Sequence, residues 1–536
     1  MINPSHAWLG KLNDTLLPEC FVEVTYGITE LGIQEDAVAS SNGEAPFSNI
    51  LGITDSSSKR FKKISTGELN LTLLNGEFLF PDPSKSVVSE NFSSAVDTGF
   101  ISHRCVSSTN HPKVTLSFSK ITKKQLPGIT IVWSTTLNEF ADSFKVACYK
   151  GGALLSEKAV TGNKAVRSEV MWEISGFDSI SVEVLSWCIP GRRARIEGID
   201  VGIFVVFTKK DLVKFSHESS RDPISGSLPK DEIKFSVDNS DQRWNPLNPQ
   251  GLYKYLYDQQ PVTTRYGMDV NGTIEWIPGG RFYLSEWSVP SNGLEASFVA
   301  RDVFSILMKS TYTGRKYGTL YEFAYDALEL LADENLKISL SDELKGYQAD
   351  IMDESSEFKD SDILQMVANA AGMSMYQSRD SVIYIKRIPS LSSAKQNAGS
   401  EIAVLNNFSW PEVEFLPPVS SVSCTVKEKS GNTITSKTVS YPTSPSKEGA
   451  QQTVSNPMVS KQVTEMPQNI LTEAYKLLSN RKKVTLEYRA SPFNDALDYI
   501  KIHSQFDHDS ILLATEVKYT FDGSFRGSVN GYLIGE

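Results

Sequence analysis

The chain is poor in the residues that metal sites, redox centres and most catalytic constellations depend on. It holds 5 cysteines and 6 histidines in 536 residues. Cys20, Cys105, Cys148, Cys188 and Cys424 lie far apart and form no CxxC pair, so zinc has no signature. An odd number of widely spaced cysteines predicts free thiols made in a reducing cytoplasm. No HExxH, GxSxG, P-loop or helix-opening GxGxxG occurs. An enzyme therefore has no constellation to stand on, and neither a cofactor nor a metal is expected.

Positive charge is also short. The net charge is −11, from 53 basic against 64 acidic residues. Phosphate neutralisation needs clustered Lys and Arg, which argues against nucleic acid or an anionic membrane as the main partner. The basic runs Lys59-Arg60-Phe61-Lys62-Lys63, Arg192-Arg193-Ala194-Arg195 and Arg481-Lys482-Lys483 are brief and read as solvated turns or helix ends. Long apolar runs are missing. The longest, Val201 to Phe207, falls far below the roughly 20 residues of a membrane span. Pro4, Asp14 and Glu19 stand where a signal peptide needs an apolar run, so no secretion leader is expected.

What is present suits globular packing. Hydrophobic residues make up 40% and charged residues 22%, a balance that argues against wholesale disorder. The chain is too long for one core, and ordinary domain sizes predict about three to five units. Residues 1–20 read as an arm. In 21–80, Phe21 to Tyr26 and Leu69 to Leu73 alternate as strands do, and the Ser/Gly/Asp-rich stretch Ser40 to Lys59 reads as a long loop. Pro81-Asp82-Pro83-Ser84 marks a boundary.

Beyond it, evenly spaced short strands predict a two-sheet sandwich over 81–208: Lys113 to Ser119, Gly128 to Ser134, Phe144 to Tyr149, Glu169 to Ile174, Ser179 to Trp187 and Arg195 to Phe207. Residues 209–312 carry the pattern of a small barrel. There Ile233 to Val237 alternates, Ile274 to Gly280 reads as a strand ending in a turn, and Phe282 to Trp287 reads as another strand.

Residues 313–390 are mixed. Leu320, Phe323, Ala324, Ala327, Leu328 and Leu331 keep helical spacing. A second helix is expected at about Ile363 to Ala371, with Asp362 and Gln365 as a capping box and Gly372 as its stop. A hairpin follows around Ser378-Arg379-Asp380. Residues 391–536 read as a second barrel. Its strands are expected at Ser420 to Glu428, Thr433 to Ser440, Val484 to Arg489 and Ala496 to His503, with a helix at Gln468 to Asn480. A final hairpin is expected around Asp522-Gly523, and Pro442 to Pro457 reads as a loop.

Several groups could carry chemistry. Asp238-Asn239-Ser240-Asp241 could ligate calcium, but its spacing is not an EF-hand and an Asx turn is favoured. Glu275 and Glu286 could form a hydrolytic carboxylate pair; a solvated sheet face accounts for them better. His503 and His508 flank Asp507 and Asp509 in what reads as a polar loop. Trp133, Trp172 and Trp187 could serve as carbohydrate-binding platforms, against the plainer account that they fill the sandwich core.

The order of these parts resembles the tail hub, or baseplate hub, proteins of tailed bacteriophages infecting Gram-positive hosts. The resemblance rests on three places. One is the Asp238 to Asp241 turn followed by Trp244-Asn245-Pro246. Another is the helix, Gly372 and hairpin unit ending Ile383-Tyr384-Ile385-Lys386-Arg387. The third is the run Ala474 to Arg481, Val484 to Tyr488, Asp498 to Ile502 and the final hairpin.

It implies a mainly β fold with α+β segments: two barrel-like hub domains, an inserted galactose-binding-like jelly roll at 81–208, and a mixed domain. It also implies a virion structural protein that is not an enzyme. Its partners would be itself, as a homotrimer, and other tail proteins such as distal tail, tape measure and receptor-binding proteins. DNA would only pass through. The alternative is a receptor-binding tail protein that holds host cell-wall saccharide through the sandwich.

Overall fold

The computed structural model describes residues 5–12, 18–45, 48, 50–54, 99–135, 137–290, 293–333, 336–351, 357–388, 401–402, 410–430, 433–446, 448–459, 465–489, 492–503 and 509–535. The fold is mainly β with helical segments, as the sequence predicts. Two compact units divide the chain. One comprises Met1–Val24, Phe207–Asn245 and Val262–Glu536; the other comprises Thr25–Val206 and Pro246–Pro261.

The second unit contains three sheets. Five strands pair in the order Val38–Ser41, Lys113–Ser117, Ser179–Trp187, Ala141–Lys150, Ala153–Val160. Gly198–Val201, Leu126–Val132 and Arg167–Ile174 form a three-stranded sheet, and Arg193–Ile196 pairs with Phe100–Cys105. Alternation explains the layering. Val114 and Leu116 point inward from Lys113–Ser117, while Lys113, Thr115 and Ser117 do not. Ile129, Ile131, Phe144, Val146, Val182 and Trp133 share one core drawn from the five- and three-stranded sheets.

That core also takes Ile33, Ile50 and Ile53. The Val38–Ser41 strand and the Ile50–Thr54 turn, expected with the first barrel, therefore belong to the sandwich. The Ser- and Gly-rich residues around them carry too few apolar side chains to reveal which core they enter. Leu69 to Leu73 and the Pro81 to Ser84 boundary lie outside the described residues.

In the first unit one sheet runs through Pro261–Val270, Thr273–Ser288, Glu295–Arg301, Lys230–Asp238, Leu212–Ser220, Asp509–Phe521, Phe525–Gly535, Lys482–Arg489 and Glu412–Phe415. The two β regions expected as separate barrels thus share a sheet, and no sheet closes on itself among the described residues. The join is the long strand Asp509–Phe521. Its first half pairs with Tyr499–His503, Tyr499 opposite Leu513. Its second half pairs with Leu212–Ser220, Phe215 opposite Phe521 and Ser220 opposite Glu516.

Several local expectations change in the structure. Ile274 to Gly280 and Phe282 to Trp287 are one 16-residue strand, Thr273–Ser288, rather than a strand, a turn and a second strand. Gly279 permits this close passage, because a Cβ there would lie 2.2 Å from Thr264 Oγ1. Pro442 to Pro457, expected as a loop, contains the strand Ala450–Val454, which pairs in parallel with Val419–Ser430. Its residues Ala-Gln-Gln-Thr-Val lack the apolar alternation that announces a strand, and four of the five are exposed.

The second helix is Asp360–Ala370, and Asp362 lies inside it rather than capping it from outside. The Asp362 carboxylate accepts the Lys359 backbone N–H at 2.9 Å. Gly372 does end the helix. Its φ is +63°, and the N–H of Met373 reaches back to the Ala368 carbonyl at 2.8 Å, a closing bond that a left-handed residue permits.

Candidate functional site

A buried polar cluster in the first unit centres on two arginines. Arg379 sits in the hairpin turn between Ser374–Gln377 and Val382–Lys386. A turn arginine usually faces water, yet this one is 7% exposed. Its Nε donates to Asp495 Oδ1 at 2.8 Å. Its other nitrogens donate to the carbonyls of Pro278 at 3.2 Å, Asn494 at 3.1 Å and Pro492. The planar fork thus binds the long sheet strand and the 492–495 loop together, a geometry lysine cannot reproduce.

Arg221 follows the strand Leu212–Ser220 and is 5% exposed. It donates to Asp231 Oδ2 at 3.1 Å, the Ala496 carbonyl at 3.1 Å and the Gln377 carbonyl at 3.2 Å. Its guanidinium lies 4.8 Å from the Tyr376 ring centre. Asp231 Oδ1 is 2.6 Å from His217 Nε2, and His217 Nδ1 is 2.8 Å from the Tyr266 hydroxyl. A neutral imidazole satisfies both contacts: Nε2–H donates to Asp231 and Tyr266 O–H donates to Nδ1. Beside this chain, Asp302 Oδ2 accepts the Asp231 N–H at 2.9 Å, and the Tyr519 hydroxyl donates to the Asn494 carbonyl at 2.5 Å.

The electrostatics follow from burial and neighbours. Burial alone would raise Asp495; Arg379 and then Arg221 outweigh it and hold the carboxyl below its ordinary range. Burial opposes the charge on Arg379, but Asp495 prevails and its guanidinium is held more firmly protonated than usual. At Asp302 the backbone N–H donors and Arg221 favour the carboxylate but do not prevail. Burial first, then the neighbouring Asp231 charge, push it well above the carboxylate range. Asp498 is raised by burial and by Asp495.

Tyr266, His217 and Asp231 line up as a proton relay would. Tyr266 is 0% and His217 1% exposed, so no reacting atom of these two meets solvent. What the arrangement can do is hold geometry. It ties the 212–238 strands, the 374–386 hairpin and the 492–498 loop to one another within the first unit. Removing one partner of a buried pair strands the other charge, so such a network acts all or none.

The residues singled out in the sequence are placed elsewhere. Trp133 and Trp187 are buried and meet edge to face at 5.9 Å. Their indole N–H groups donate to Ser168 Oγ at 2.8 Å and Glu139 Oε2 at 2.9 Å. With their faces covered by the core, neither can stack on a sugar, which corrects the platform expectation for these two. Trp172 is half-buried and donates to Ser156 Oγ at 2.9 Å.

Asp238 forms an Asx turn, its carboxylate accepting from Ser240 N–H at 3.0 Å and Ser240 O–H at 2.9 Å. Glu275 accepts from Ser5, and Glu286 accepts from Arg301 at 2.8 Å. Arg193 donates to the Ser102 carbonyl at 3.1 Å, and Arg195 is buried, so the 192–195 run is not a free basic patch. Lys59 to Lys63, Asp507 and His508 lie outside the described residues. All five cysteines are free.

Sequence reasoning missed Arg221, Arg379, Asp231 and Asp495. One signal was available. Phe215, His217 and Ser219 alternate on one face, and all three are buried. A histidine on the apolar side of a strand requires partners, and His217 finds them in Asp231 and Tyr266.

No family model and no curated protein matches the chain. Among solved structures, the tail protein from Neisseria meningitidis MC58 is similar at 12% identity and a TM-score of 0.42, over 61% of this chain and 93% of that one. The 43 kDa tail protein of prophage MuSo2 from Shewanella oneidensis is similar at 11% and 0.39, over 61% and 94%. Prophage tail protein gp18 from Listeria monocytogenes EGD-e is similar at 10% and 0.36, over 61% and 91%.

Proposed function

We propose that the chain is a structural component of a bacteriophage tail tip or baseplate, forming the hub ring that joins the tail tube to the host-binding apparatus. The observation that carries this reading is the shared sheet of the first unit. The final hairpin pairs on one side with Leu212–Ser220 and on the other with Lys482–Arg489, so the two β regions of a hub plan work as one body. The buried Arg221 and Arg379 network supports the same reading, because its arginines bind backbone carbonyls of separate segments together. The order of motifs resembling hub proteins supports it independently.

In this reading the chain is a scaffold, not a catalyst. It assembles in the host cytoplasm as a homotrimer and resides in the virion tail. It contacts distal tail, tape measure and receptor-binding proteins, and DNA only passes by. Three copies each contributing two similar β regions give a ring with pseudo-sixfold character and cyclic closure. The test is the mass of the purified full chain in solution. Three times the 59.4 kDa chain mass is expected, and a monomer at every concentration would overturn the reading.

A further inference from the structure

We infer that the edge strand Glu412–Phe415 pairs with the edge strand Lys337–Leu340 of a second copy of this chain. This rests on the hub reading and names the surface that would close its ring. Among the described residues Glu412–Phe415 ends the large sheet, paired on one side with Lys482–Arg489, Glu414 opposite Lys483. All four of its residues are exposed, Val413 at 43% and Phe415 at 68%, and nearby Trp410 is 54% exposed. An open edge with bare aromatic side chains is a template for another strand, and proteins that keep one usually cover it in their assembly.

The sequence of the edge selects its partner. Two copies of Glu-Val-Glu-Phe pairing antiparallel would set Glu412 against Phe415 and Val413 against Glu414. A register shifted by one would set Glu412 against Glu414. Each choice places a carboxylate opposite an apolar residue or another carboxylate, which disfavours a symmetric pair.

Lys337–Leu340 has the complementary pattern. Among the described residues it ends its own sheet, paired on one side only, in parallel with Val382–Lys386. Lys337 and Ser339 are exposed, and Ile338 and Leu340 are partly so. Setting Glu414 opposite Lys337 in an antiparallel ladder brings Val413 opposite Ile338 and Glu412 opposite Ser339. Among the described residues Glu412, Glu414 and Lys337 make no ion pair within the chain.

Two different edges joined between copies make a heterologous contact, the kind that builds rings. Four residues of ladder cover only part of the roughly 800 Å² per partner that a stable interface needs. Trp410 and Phe415, which flank the ladder, supply apolar area of the type that anchors interfaces.

The test measures the mass of the full chain across a concentration series for four proteins: the native sequence, Glu414→Lys, Lys337→Glu and the double variant. The inference predicts a threefold assembly for the native chain, loss of assembly in each single variant and its return in the double variant. The far-ultraviolet circular dichroism of all four proteins should be the same, since both positions are exposed. A native trimer that neither single change disturbs would overturn this surface and leave the hub reading standing. Loss in the single variants without return in the double would overturn the pairing with Lys337. A native chain that is monomeric throughout would overturn both the surface and the hub reading.

Discussion

Arg379 and Asp495 form a pair whose two members are both nearly out of water, and their removal has different consequences from a surface change. Arg379→Ala strands the Asp495 carboxylate and three carbonyls. It should lower the stability of the first unit by about 3–5 kcal/mol in urea titration. Arg379→Lys should recover only part of this, because one ammonium cannot reach four acceptors on two segments. A midpoint for Arg379→Ala equal to the native value would remove the network's structural role.

Asp302 makes a contribution to the pH dependence whose sign can be worked out. Its folded-state value lies above the unfolded one, so its contribution is full below the ordinary carboxylate range and is lost as pH rises through the folded value. Asp302→Asn keeps an acceptor for the Asp231 N–H and removes the charge. It should raise the urea midpoint at pH 8 and leave it unchanged at pH 4. Equal midpoints at both pH values would contradict the assignment.

The thiols can be counted as well. Burial pushes Cys20 and Cys424 up to about 11, so both should react slowly in the native chain, while five thiols titrate after denaturation. Apart from His217 on the apolar face of its strand, the arginine network was not legible as a site. A turn arginine reads as solvated, and the 492–495 loop that covers it lies more than a hundred positions away in sequence.

Elements with strong local signals were legible. Asp522-Gly523 marks a hairpin, and the structure has one, Asp509–Phe521 with Phe525–Gly535. The helical spacing around Leu320 gives Leu320–Ala327, whose start is fixed by a Thr319 and Glu322 capping box. Illegible elements had weak or misleading ones. Pro278-Gly279-Gly280 carries every mark of a turn, yet runs through the middle of a strand. The partners of the final hairpin could not be read either, because strand alternation reports a face and not a neighbour.

That pairing sharpens what the hairpin should do. Deleting residues 509–536 bares the edges of both Leu212–Ser220 and Lys482–Arg489. It also removes buried Val517, Tyr519 and Val529, each worth roughly 1.5–3 kcal/mol. Together these rival a typical domain's net stability of about 5–15 kcal/mol, so the truncated chain should be insoluble on expression. The sandwich makes a second element-scale prediction. A fragment of residues 81–208 lacks the Val38–Ser41 strand and the core residues Ile33, Ile50 and Ile53. It should melt at a lower temperature than a fragment of residues 25–208 in circular dichroism.

For the whole molecule, sequence totals excluded more than they assigned. The acidic balance and the lack of catalytic spacing pointed away from nucleic acid and chemistry, while the order of parts pointed to a tail hub. The structure adds the physical means: two distant β regions fused through one hairpin and fixed by buried charge. In the proposed hub reading, such a body lets a ring transmit geometry between a tube and its attachments. The measurement that tests this most directly is averaged imaging of tailed particles assembled with an epitope-tagged full chain. The account predicts label at the tail tip, in a threefold ring around the tube axis. Label on the head, or particles complete without the chain, would contradict it.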